Sequence, residues 1–159
     1  MIKAWEMDSI AFKALSPIEH RIYTEMRRLY NGRNNGQIAM PTRRAGEVCH
    51  MSNSTGARAL ERLRALGFIK LRQDSSFGQK RLAREYELTA ISLKPAEKGS
   101  HLPRGTRDFM KLDEKAIAEI DFQLSILANK KQNIVPFKKR PVPSVNNKPE
   151  NPAQRPEKQ

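Results

Sequence analysis

TRRAGEVCHMSNSTGARALERLRALGFI, running from Thr42 to Ile69, is the stretch on which the fold turns. It reads as two short helices joined by a tight turn and stopped by a glycine. Ser52 offers a hydroxyl oxygen to the free N–H groups of a starting helix, and Gly67 suits the left-handed conformation that ends one. These caps predict a helix over 53–66. On a 3.6-residue period Gly56, Ala59, Leu60, Leu63 and Leu66 share one side, while Ser54, Arg58, Glu61 and Arg62 fall on or beside the opposite side. One face packs, and the other is left free to read a partner.

In the preceding helix Thr42 is the expected cap, and Ala45, Val48 and Cys49 form an apolar stripe. Gly56, lacking a Cβ, would let the two helix backbones approach near the turn. In a helix-turn-helix the first helix braces on phosphates and the N-terminal part of the second enters the major groove. Asn53, Ser54, Arg58 and Arg62 are therefore the expected base readers, with Arg43, Arg44 and Thr55 on phosphate.

Outward from this pair, the elements fall into the order of a winged helix. Ser16-Pro17-Ile18-Glu19 is a helix start with a serine cap, proline at the first position and a returning glutamate. Ile18, Ile22, Met26 and Leu29 then mark an amphipathic helix to about Tyr30, preceded by an aperiodic lead-in over residues 1–15. Asn31-Gly32 suits the helix end and Asn35-Gly36 a turn, followed by a short strand Gln37 to Met40. Beyond Gly67, Phe68 to Arg72 and Ala83 to Thr89 alternate as two half-buried strands of a hairpin. Its loop would place Lys80 and Arg81 against phosphate, with Phe77 either at the tip or anchoring the hairpin.

Thirty Lys and Arg against seventeen Asp and Glu give a net charge of +13, a balance suited to a polyanionic partner. The excess is local. From Pro41 to Arg81 nine basic residues face three acidic ones, whereas Leu112 to Val135 holds three basic and four acidic. The single cysteine, Cys49, cannot form an internal disulfide and reads as a small core residue. Neither a signal peptide nor a long apolar run is visible, so the expectation is a cytoplasmic, nucleoid-associated protein. Metal-ligand spacings and the common nucleotide-binding and hydrolase motifs are not seen, so no enzyme activity, cofactor or small-molecule ligand is expected.

A linker over 94–111 separates the winged unit (16–93) from a helix over 112–133, in which Asp113 is the cap. Ile117, Ile120, Leu124 and Leu127 form a short heptad seam there, which either joins two subunits or covers the winged unit of its own chain; a homodimer is the preferred expectation. Phe122 and Ile126 lie off that seam. Residues 134–159 are proline-rich, polar and basic, and read as a disordered tail.

YNGRNNG at Tyr30 to Gly36, STGARALERLRALGFI at Ser54 to Ile69, K-R-x-A-R-E-Y-x-L-T at Lys80 to Thr89 and T-R-D-F-M at Thr106 to Met110 together resemble a family of winged helix-turn-helix proteins of alphaproteobacteria, often carried on plasmids and prophages. Tyr86 departs from that pattern where tryptophan is expected, and a tyrosine keeps the packing role. The resemblance spans Ser16 to Leu112 and implies the fold and DNA binding, without naming an operator. The expectation is thus a mainly α protein with a small β-hairpin wing, a winged helix-turn-helix followed by a C-terminal helix. Its expected task is sequence-specific binding of double-stranded DNA as a transcriptional regulator; the alternative is a replication or excision accessory factor of a mobile element. Structured RNA stays open as a ligand, because charge alone does not distinguish polyanions.

Overall fold

A computed structural model describes residues 2–75, 83–93 and 105–132 of the chain. The expected tail, the wing-loop residues Phe77, Lys80 and Arg81, and most of the linker lie outside them. No helix among the described residues is long and apolar enough to cross a membrane.

The aperiodic lead-in holds two helices, α1 (Ala4–Met7) and α2 (Ile10–Lys13), each too short to display a period. Ser9 caps α2 by accepting from the Phe12 N–H at 3.2 Å. Ala11 and Leu15 enter the core. Helix α3 (Pro17–Leu29) starts as its sequence demands: Ser16 Oγ accepts from the Glu19 N–H, and Glu19 Oε2 accepts from the Ser16 N–H at 2.8 Å. Ile22, Tyr23 and Met26 of α3 are fully buried. Such a reciprocal cap satisfies two donors that the first turn would leave free.

The YNGRNNG loop is braced by its own side chains. Asn31 Oδ1 accepts from the N–H groups of Arg33 and Asn34, Asn34 Nδ2 donates to Leu29 O, and Tyr30 Oη donates to Gly32 O at 2.8 Å. Asn35, expected only to turn the chain, is buried and ties it to a distant strand: its Nδ2 donates to the carbonyls of Leu88 and Ile91, and its Oδ1 accepts from the Leu88 N–H at 2.7 Å.

After β1 (Ile38–Ala39) come α4 (Thr42–Val48) and α5 (Asn53–Ala65), followed by β2 (Ile69–Gln73) and β3 (Glu85–Leu88). Thr42 does not cap α4 as expected; Pro41 holds the cap position without a side-chain bond, and Thr42 is the first helical residue. The three strands form an antiparallel sheet in the order β1-β3-β2, with Ile38 opposite Tyr86 and Ile69 opposite Leu88. Strict alternation fails on β3, where Tyr86, Glu87 and Leu88 are all buried. Glu87 tolerates this because Arg72 Nε donates to it at 2.7 Å.

Residues 105–111, expected as linker, contribute Phe109 to the core. A short 3-10 turn (Asp108–Lys111) seats Phe109, fully buried, on Phe68 with ring centroids 4.5 Å apart. Trp5 also stacks with Phe109, Tyr23 meets Phe68 edge-on, and the Arg107 guanidinium lies 4.1 Å from the centre of the Trp5 ring. Helix α6 (Glu114–Gln132) then packs its first half on the domain, with Asp113 Oδ1 accepting from the Ala116 N–H at 2.8 Å. The seam is thereby divided: Ile117 is buried in the core and Ile120 packs against it, Leu124 is half-buried, and Leu127 is 52% exposed. Ile117 is thus part of the chain's own interior, and Ile120 packs against it.

Candidate nucleic-acid interface

Helices α4 and α5 meet at the glycine that the sequence marks. A Cβ on Gly56 would stand 2.6 Å from the Gly46 nitrogen and 2.8 Å from the Thr42 carbonyl oxygen, closer than real Cβ atoms approach. Gly46, unremarked in the sequence, makes a second close contact, against the carbonyl oxygens of Met51 and Ser52. Between the helices, Cys49 and Met51 donate backbone bonds to Gly46 O, and His50 adopts φ 54°, a left-handed conformation unusual for a side chain with a Cβ. Cys49 sits half-buried beneath this turn with its Sγ 3.7 Å from Ile18 O. Burial pushes its thiol pKa up, opposed by the charge of Arg21.

Ser52 accepts from the Thr55 N–H at 3.2 Å and fixes the start of α5. Its hydroxyl also contacts Ser54 Oγ at 2.8 Å and Thr55 Oγ1 at 3.0 Å. Asn53, Ser54 and Arg58 are exposed, and Thr55 is half-buried. Ala59, Leu60 and Leu63 face inward, and Gly67, at φ 73°, ends the helix where expected. Among the described residues Arg58 has no ion-pair or side-chain hydrogen-bond partner. Of the three arginines of α5 it is the one without such a partner among the described residues.

Arg62 is not. It was expected to project beside Arg58, one helical turn away. Instead its guanidinium spans three elements: Nε and Nη2 donate to Asp121 of α6 at 2.7 and 2.9 Å, and Nη1 donates to Glu19 at 2.6 Å and to Ala14 O at 3.1 Å. Its side chain is 18% exposed. The paired bond to Asp121, with Glu19 added, raises its pKa further despite burial. An arginine so placed joins α5 to α6 and to the cap of α3, and four of its five N–H donors are taken by these bonds, so none of its forks is left for a two-pronged grip on a base edge.

The expected phosphate contacts divide likewise. Arg43 is 81% exposed and pairs with Glu47 one turn along α4, an exchangeable surface pair. Arg44 donates to Glu25 of α3 at 3.2 Å, where Arg28 also donates. These bonds, Arg28 first, pull the Glu25 carboxyl down to about 2. Arg21, not singled out in the sequence, is exposed on α3 near enough to Cys49 for its charge to act on the thiol. The sequence alone held no signal for this, because Ile18 and Cys49 are brought together across 31 residues by the fold.

No protein-family model matches this chain, and neither a curated protein nor a solved structure shows significant similarity to it.

Proposed function

We propose that this chain is a winged helix-turn-helix protein that binds double-stranded DNA and acts as a transcriptional regulator in the nucleoid, as a homodimer on paired half-sites. The observation that carries the reading is the N-terminal half of α5: a serine-capped helix start with Asn53, Ser54 and Arg58 exposed, and with Arg58 unpaired among the described residues. The order α3, β1, α4, α5, β2, β3 with a β1-β3-β2 sheet supports the winged assignment; Lys80 and Arg81, expected on phosphate, lie outside the described residues. The motif resemblance supports it further.

Arg58 has the forked geometry to grip a guanine edge, Asn53 and Ser54 offer shorter polar contacts, and Arg43, Arg44, Thr55 and Arg21 meet the backbone. Arg62 is left out of the reading set, since base contact would require it to abandon Asp121 and Glu19. No cofactor and no small-molecule ligand enter this reading.

The test is selection of a preferred duplex from a random pool, followed by salt titration of its affinity. Binding is expected to weaken linearly on logarithmic axes, with a slope of about −0.9 per neutralised phosphate. Promoter-proximal sites favour regulation, and clustered repeats at an origin or attachment site favour the accessory-factor reading. Failure to enrich any duplex, or a preference for structured RNA, would sink the proposal.

A further inference from the structure

Helix α6 carries a second apolar pair, the exposed Phe122 and the half-buried Ile126, on the side away from its own domain. Successive helical residues turn by about 100°. Ile117, Ile120, Asp121 and Leu124 therefore share the side that faces the domain, and Phe122 with Ile126 lies on the opposite side. Phe122 is 59% exposed. Lys115, Glu119 and Lys130 flank this outer stripe and are exposed too. Ile117 and Ile120 of the seam that the sequence suggested are spent on the chain's own core, while Leu127 is 52% exposed, so the seam as a whole does not serve a subunit contact.

We infer that the outer stripe is a self-association surface on which a second copy of α6 docks antiparallel. This rests on the homodimer reading above, and on no assumption about what α5 binds. The argument is charge complementarity. Glu119 lies before the Phe122–Ile126 centre and Lys130 after it, on the same flank of the stripe. Antiparallel pairing about a two-fold axis at that centre sets Phe122 of one copy against Ile126 of the other and Glu119 against Lys130, twice over. Parallel pairing instead brings the two Lys115 ammonium groups into one layer and leaves Glu119 away from Lys130. Within one chain Glu119 Oε1 accepts from Gln123 Nε2 at 2.7 Å, a neutral contact, and among the described residues the carboxylate has no ion-pair partner.

The test uses the full chain. Sedimentation equilibrium is expected to show a dimer for the parent protein and a monomer for Phe122→Glu, whose unchanged far-UV melting curve establishes that the exposed site was altered without unfolding. Glu119→Lys and Lys130→Glu should each weaken association by about threefold or more, the scale of a doubled surface pair, and the double variant should recover it. In a Cys49→Ser background, Glu119→Cys with Lys130→Cys should form a disulfide between chains. The two positions lie about 16 Å apart along one helix, too far for a bridge within it. A parent that stays monomeric at high-micromolar concentration overturns the inference, as does a dimer indifferent to Phe122→Glu. A dimer broken by Phe122→Glu but not restored by the charge exchange overturns the antiparallel arrangement. Duplex affinity of the monomeric Phe122→Glu variant for a single half-site, measured alongside, tests the DNA reading separately.

Discussion

Arg58 and Arg62 sit one helical turn apart on α5 and have opposite fates. The N-terminal half of the helix is held by its cap and by close backbone contact at Gly56, and among the described residues neither engages the side chains of Asn53 and Arg58. The C-terminal half is held by its side chains: Leu60 and Leu63 in the core, and Arg62 in the grip of α6 and α3. What the difference teaches is that side-chain type does not assign a role on an amphipathic helix. The neighbours do, and α6 covers only one end.

The sharpest way to break this comparison is to exchange the consequences. Arg62→Ala removes a half-buried guanidinium and leaves Glu19, Asp121 and the Ala14 carbonyl without it, which should cost on the order of 2–3 kcal/mol of stability. Thermal melting would show it, while the folded fraction should bind DNA as the parent does. Next in size is Arg58→Ala, expected to cost about 1–3 kcal/mol on the preferred duplex and to relax one base position, with stability unchanged within about 0.5 kcal/mol. If Arg58→Ala lowers the melting temperature and Arg62→Ala abolishes binding by folded protein, the roles have been assigned the wrong way round.

Smaller effects sharpen the picture. Ser52→Ala should cost about 1 kcal/mol by freeing the Thr55 N–H, and denaturant titration would measure it. The acid limb of stability tests the grip on Arg44. Glu25, with an ordinary value of 4.5, is held near 2 by Arg28 and then Arg44; Asp108, ordinarily 3.8, is held near 2 by Lys70 and then Lys111. Groups lowered in the folded state stabilise it above their unfolded values, and that stability is lost as pH falls through the folded ones. Melting temperature should therefore decline from about pH 4.5 toward 2, and less steeply in Glu25→Gln. An identical acid profile in that variant would mean Glu25 does not hold these arginines in solution.

Much of the scaffold was legible because it is local. Ser16, Glu19, Ser52, Gly67 and Asp113 each act within three residues or through their own backbone angle, and each does what its type and position require. The same locality misled at Thr42, where Pro41 already sets the extended entry to α4. It also misled at 94–111, where a Pro- and Gly-rich composition concealed Phe109, a core residue.

By itself, then, the sequence determined two capped amphipathic helices meeting at a glycine, a small hairpin after them, and the concentration of positive charge around the pair. Only the tertiary structure decided which of those charges are free. Asp121 reaches Arg62 across 59 residues of chain, and Asn35 reaches Leu88 across 53. Periodicity reports which side of a helix a residue occupies, and it carries no information about what another segment, distant along the chain, will lay over that side.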